Sequence, residues 1–172
     1  MSANQIELVK LNYLSCLAAL RAFKDTTNHT LSIKWPNDIY LENKKVSGIL
    51  IESQSSGKDI FLSLGIGINI NIEESLNVNQ PHSNLGMNID RIKLIHLFCN
   101  NLVDFLNTKN YDDHVKEYNA NLLAINKSVS VTVDNIIHEG ILLGISDHGR
   151  LMINTGNNVL TINDINSTFK VI

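Results

Sequence analysis

Between residues 31 and 72 the chain passes through several extended segments whose connections are too short for a helical crossover, and this restricts the fold more than any other feature. Residues 31–34 and 39–41 are strand candidates interrupted by Pro36, which has no N–H to offer a sheet ladder. Glu42-Asn43-Lys44-Lys45 has the polar composition of a hairpin turn. Residues 46–53 and 60–72 are strand candidates joined by the loop Ser53-Gln54-Ser55-Ser56-Gly57-Lys58. Parallel neighbours need about a dozen or more connecting residues, so an antiparallel meander is predicted.

Helices flank this meander. Across residues 5–24, Ile6, Val9, Tyr13, Leu17 and Leu20 recur at helical spacing, and Leu14 and Ala18 widen the stripe. Residues 73–86, which include Pro81, read as a loop. Asp90 is placed to cap a helix with Ile92, Ile95, Phe98, Leu102, Phe105 and Leu106 on its apolar face. Residues 111–123 suggest another helix, with Val115, Tyr118 and Leu122 as its stripe. The pattern then changes. Residues 128–133 alternate as a half-buried strand does, and turn signals follow at Asp134-Asn135, Asp147-His148-Gly149, Gly156-Asn157-Asn158 and Asn163-Asp164. Between them lie strand candidates at 141–145, 151–153, 159–162 and 169–172, the pattern of a small β-barrel. The expected class is α+β: a partial mixed or antiparallel sheet with packed helices over residues 1–125, then a small barrel over 126–172.

Composition excludes several function classes. With 44% hydrophobic and 18% charged residues, a packed core is expected rather than disorder. A net charge of −3 with no basic block gives no sign of nucleic acid or a membrane surface as partner. No apolar run reaches the roughly 20 residues of a membrane span, and the N-terminus is not a signal peptide, so a cytoplasmic protein is expected. Cys16 and Cys99 read as buried thiols on helices, and no Cys/His spacing predicts a metal site.

Three short stretches carry the chemistry: Lys34-Trp35-Pro36-Asn37-Asp38, the segment from Lys45 to Glu52, and Gly65-Ile66-Gly67-Ile68-Asn69. Trp35 is the only tryptophan and Pro36 one of two prolines. Taken separately, each has an ordinary explanation. The first is a turn with Asx hydrogen bonds and a core Trp, and Lys45 is a solvated turn residue. Gly65 and Gly67 share one strand face, where a packing helix or a bulge, taken alone, accounts for them more readily than a ligand does. A meander puts all three on adjacent strands, where they can share a cleft.

In combination, KWPND, a lysine, Gly48-Ile49-Leu50-Ile51-Glu52 and a G-x-G-x-N strand resemble the biotin protein ligases, which attach biotin to carboxylase carrier domains. The order of helices and the β-rich tail are also similar to that family. The resemblance implies a class II synthetase-like catalytic domain followed by an SH3-like β unit. It implies a two-step reaction: biotin and ATP, with Mg²⁺, give biotinyl-5′-AMP, and a lysine of a biotin carboxyl-carrier domain then takes the biotin. On this resemblance Lys45 and Asp38 are catalytic. Asn37, Lys45, Gly48, Gly65, Gly67 and Asn69 bind biotin or the adenylate, and Trp35 and Pro36 hold the corner. A lipoate-attaching relative shares the fold, but WPND with GILIE and GIGINI is closer to the biotin enzymes. The family's Gly/Arg-rich biotin loop, of the form GRGRxGR, has no counterpart here, since the only arginines are Arg21, Arg91 and Arg150. The chain therefore reads as a C-terminal portion that needs a missing N-terminal segment or a complementary chain. The alternative is a non-catalytic remnant that binds a carrier domain.

Overall fold

The computed structural model describes residues 3–56, 59–71, 82–86, 88–108, 110–163 and 167–172. Most of the loop expected at 73–86, Gly57 and Lys58 of the Ser/Gly connection, Ile72 at the end of its strand, and Asp164 of the last turn lie outside the described residues, as does the side chain of Ile6.

Helix α1 (Ala3–Thr26) leads into β1 (Leu31–Lys34), β2 (Asp38–Leu41), β3 (Lys44–Ser56) and β4 (Asp59–Ile68), which form an antiparallel sheet of order β1-β2-β3-β4. The expected meander is present. Its first hairpin turn is shorter than the sequence implied. Only Glu42 and Asn43 turn, with φ of 49° and 63°, the doubly left-handed geometry that matches strand twist. Lys44 and Lys45 therefore belong to β3, and Lys45 is a strand residue rather than a turn residue.

Ile33, Ile39, Val46 and Ile49 are buried on the sheet face that meets α1. The helix is enclosed on more sides than an amphipathic stripe predicts. Tyr13, Leu14, Ser15, Cys16, Leu17, Ala18, Ala19, Leu20, Ala22 and Phe23 are all buried. The sheet lies on one side, and α2 (Arg91–Asn107) and α3 (Asp112–Ala120) pack elsewhere on the helix. The alanines allow this close approach, and Asn101 of α2 donates to the Ala18 carbonyl at 3.4 Å.

Asp90 caps α2 as expected, its carboxylate accepting from the Ile92 and Lys93 N–H groups. The buried face of α2 overlaps the expected one only in part. Phe98 and Phe105 are buried as expected and Leu102 packs against the core, but Leu94 joins them, whereas Ile92, Ile95 and Leu106 are exposed. Cys99 is exposed as well, contrary to its reading as a buried thiol, while Cys16 is buried. Hydrophobicity gave no means of choosing between the two sides of a helix that is apolar over most of its circumference.

His114 of α3 is buried against the rings of Phe105 and Tyr111, and among the described residues its Nδ1 has no hydrogen-bond partner. Burial, reinforced by the Arg21 charge, lowers its pKa, while Glu117 and Asp113 oppose the shift. The fold thus favours the neutral imidazole. Unfolded His titrates near ~6.5, so the unfolded chain takes up the proton first as pH falls through that value, and stability is lost there. The urea midpoint is expected to drop between pH 7.5 and 5.5, and His114→Gln should flatten that slope. An unchanged slope would remove His114 as its source.

After α3, Asn121 and Leu123 exchange backbone hydrogen bonds with Ile33 at 2.8 and 2.7 Å, closing the β1 edge. Then come β5 (Ser128–Val133), β6 (Ile136–Ile145), β7 (Leu151–Asn154), β8 (Val159–Ile162) and β9 (Thr168–Val171). Their order is β8-β7-β6-β5-β9, entirely antiparallel. The predicted small β unit is present, but as an open sheet: among the described residues β8 and β9 do not pair, so the barrel is not closed. Asn119 of α3 clamps it to the helices, accepting from the Ile145 N–H at 2.7 Å and donating to the Ile145 carbonyl at 3.1 Å. No helix among the described residues is long and apolar enough to cross a membrane.

Candidate active site

The corner between β1 and β2 is Trp35-Pro36-Asn37, with a cis peptide bond before Pro36. Trp35 is buried. From α1, the Asn12 amide and the Cys16 thiol donate to the Pro36 carbonyl at 3.4 and 3.6 Å. From β3, the Ile49 N–H donates to the Asn37 carbonyl at 2.9 Å, and the Asn37 side-chain amide donates back to the Ile49 carbonyl at 2.6 Å. The corner is therefore fixed on two sides, and Asp38, the first residue of β2, leaves it in a set direction.

The partner strand contains a β-bulge. Ile39 pairs with Ser47 and Tyr40 with Lys45, leaving Val46 as the extra residue, with Val46 and Ser47 both buried. Residues three apart on a regular strand point to opposite faces. The bulge removes one step, so Lys45 shares the face of Gly48 and Asp38. Lys45 Nζ meets Asp38 Oδ1 at 2.6 Å, with the two side chains 35% and 18% exposed. The Lys45 carbonyl also accepts from the Asn69 side-chain amide at 3.3 Å and the Ser83 N–H at 2.9 Å.

The glycines divide into two kinds. A Cβ on Gly48 would lie 2.9 Å from Lys45 Nζ and 3.1 Å from Asp38 Oδ1. That glycine makes room for the ion pair, and the space above it is taken by protein. Above Gly65 and Gly67 the nearest atoms to a built Cβ are strand carbonyl oxygens at 4.0 and 3.9 Å. Among the described residues these two leave an open floor, extended by Leu50, the strand partner of Gly65, which is 59% exposed.

The structure brings together Asn37, Asp38, Lys45, Gly48, Gly65, Gly67 and Asn69, as the meander implied. It adds Lys34 and Tyr40. Lys34 pairs with Asp38 across the corner, and its Nζ donates to the Tyr40 hydroxyl at 3.3 Å. Burial lowers the Lys34 pKa; Asp38 opposes that shift and Lys45 adds to it. Burial likewise raises the Tyr40 pKa, with Asp38 adding and Lys45 opposing. The signal for both was present in the strand alternation, since residues 34, 38 and 40 share a face once the corner is turned. One carboxylate between two ammonium groups, beside an uncovered glycine floor, suits an anionic ligand lying flat on the sheet. Among the described residues no group of three or more His, Cys, Asp or Glu is arranged to hold a metal ion.

Comparisons with known proteins agree with this geometry. A model of the Biotin/lipoate A/B protein ligase family matches residues 1–69, and one of the Biotin protein ligase C terminal domain matches residues 124–167. The bifunctional ligase/repressor BirA of Escherichia coli (strain K12) is 30% identical over 130 residues, 70% of this chain and 40% of that protein. Biotin–protein ligase 2 of Arabidopsis thaliana is 34% identical over 62 residues, 33% of this chain and 19% of that protein. The chain thus spans less than half the length of either relative. A crystal structure of the biotin protein ligase from Aquifex aeolicus superposes with a TM-score of 0.85 at 25% identity, covering 100% of this chain and 79% of that one. The same enzyme in complex with biotin and ATP gives 0.82 at 26% identity, covering 96% and 72%. Two family models in their proper order, a tertiary likeness along the whole chain, and the WPND, Lys45 and G-x-G-x-N residues on adjacent strands lead to one conclusion: this chain belongs to the biotin protein ligase family.

Proposed function

We propose that the chain carries the lysine–aspartate half of a biotin protein ligase active centre, which makes biotinyl-5′-AMP and passes biotin to a carrier-domain lysine. The observation that carries this reading is the Lys45–Asp38 ion pair at the end of an open glycine floor. In the first step a biotin carboxylate oxygen bonds to the α-phosphorus of ATP, and the bond from that phosphorus to pyrophosphate breaks. Two anions approach each other, so a positive charge already in place lowers the barrier. Lys45 supplies it, held by Asp38 through its side chain and by Asn69 and Ser83 through its carbonyl. Mg²⁺ arrives with ATP as part of the substrate and adds to that charge.

In the second step the carrier lysine's amine attacks the acyl carbon, AMP leaves, and the amine's proton is accepted by Asp38. Gly65 and Gly67 allow the adenylate to lie against the strands. Asn37 and Asn69 line it, although the amide of each also donates to a strand carbonyl. Trp35 and Pro36 hold the corner. Residues 1–125 form the catalytic portion in this reading and 126–172 the SH3-like unit, and the partner is the biotin carboxyl-carrier domain of a carboxylase.

Asp38→Asn tests the second step. Single-turnover transfer from preformed biotinyl-5′-AMP to a carrier domain should fall by about 10²–10⁴, the usual contribution of a positioned base. Adenylate formation should fall less. Equal transfer rates in variant and wild type would take Asp38 out of the mechanism.

A further inference from the structure

Lys34, Asp38, Gly48 and Gly67 are consecutive cross-strand partners and form one row over all four strands of the first sheet. With strands about 4.8 Å apart, the row is roughly 14 Å long. Gly67, with open space above it among the described residues, stands at one end, the Lys45–Asp38 pair occupies the middle, and Lys34 stands at the other end. Asp38 is already bonded to Lys45 at 2.6 Å. Among the described residues Lys34 Nζ makes no ion pair, and its one hydrogen bond is to the Tyr40 hydroxyl, with the Tyr40 ring centroid 5.3 Å away. A half-buried ammonium group with no carboxylate of its own, on the face that holds the ion pair, is a cation waiting for an external anion.

The position of Lys34 indicates which anion. A ligand whose organic part lies on the Gly65–Gly67 floor brings its reacting phosphate to Lys45. A phosphate chain continuing along the row passes Asp38 and reaches Lys34. We propose that Lys34 binds the β,γ-diphosphate of the nucleotide and holds it as it leaves as pyrophosphate. The proposal rests on the adenylate-forming reading given above and assigns Lys34 to the leaving group rather than to the acyl-adenylate. Pyrophosphate carries the electron pair of the broken P–O bond, and a cation at that end stabilises the charge that develops there.

The test is calorimetric titration of the chain at low ionic strength with inorganic pyrophosphate and, separately, with biotinyl-5′-AMP. Lys34→Met is expected to weaken pyrophosphate binding about tenfold and to leave biotinyl-5′-AMP binding within about twofold, while Lys34→Arg keeps most of the pyrophosphate affinity. Pyrophosphate binding unchanged in Lys34→Met would overturn the proposal. Equal losses for both ligands would also overturn it, since Lys34 would then only be supporting Tyr40 and Asp38. If wild type binds biotinyl-5′-AMP but pyrophosphate binding is indifferent to Lys34, this inference alone fails. If wild type binds neither, the ligase reading fails with it.

Discussion

Lys45→Ala is expected to lower biotin-dependent pyrophosphate release from ATP by about 10²–10³ or more while leaving the fold intact. That range is the loss seen when one preorganised electrostatic donor is taken from a site. Here the effect compounds. Asp38 stays behind over Gly48 without its partner, and an unpaired carboxylate at that point repels the anions the site has to bring together. The stability term is small. The ion pair is partly solvated, with the lysine side chain 35% exposed, so its removal costs about 0–1 kcal/mol. Thermal midpoint and near-ultraviolet circular dichroism should therefore match wild type. Calorimetric titration of the chain with biotinyl-5′-AMP gives a second measure, independent of turnover, and should show at least a tenfold weaker complex. Full adenylate formation in the alanine variant, or unaltered adenylate binding, would end the assignment of Lys45.

The largest loss of stability is expected from Leu17→Ala in α1. Leu17 is fully buried, and its neighbours Cys16, Ala18, Ala19 and Leu20 are buried too. Removing a leucine side chain from such a place costs about 2–5 kcal/mol, towards the upper end where the surroundings cannot close the cavity. The sheet on one side and α2 on another, each fixed by its own hydrogen bonds, leave little room to relax. A domain has only about 5–15 kcal/mol in total, so the variant would lose a large share of it. Trp35 is the single tryptophan and is buried in the corner that α1 holds through Asn12 and Cys16. Its fluorescence during urea titration therefore reports the core and the site together. A midpoint shift worth less than about 1 kcal/mol would show that α1 is not the centre of the core.

Much of this architecture is legible in residue order. Short connections dictate antiparallel pairing, Pro36 marks the corner, and Asp90 announces α2. Gly65 and Gly67 stand on one face because a strand has a period of two. Other features depend on long-range packing. No local pattern distinguishes the buried side of α2, where Leu94, Phe98 and Phe105 face inward, from the exposed side with Ile92 and Ile95. The enclosure of α1 depends on where α2 lands. Turn composition suggested that Lys45 sits in a loop, whereas the left-handed geometry of Glu42 and Asn43 ends the turn two residues earlier. Gly48 reads like Gly65 and Gly67 in sequence, yet it lies beneath the Lys45–Asp38 pair, whereas no described residue covers the other two.

The extra residue Val46 has an arithmetical consequence. Lys45 and Gly48 are an odd number of positions apart, and only a bulge lets odd spacing share a face. The chemistry of the hairpin therefore depends on a count. Deleting one residue between Lys45 and Gly48 keeps the lysine on the ligand's side only if the irregularity disappears with it. Adding one while the bulge persists turns the ammonium group into the hydrophobic core beneath α1. A change in length by one therefore keeps the lysine beside Asp38 only when the bulge changes with it.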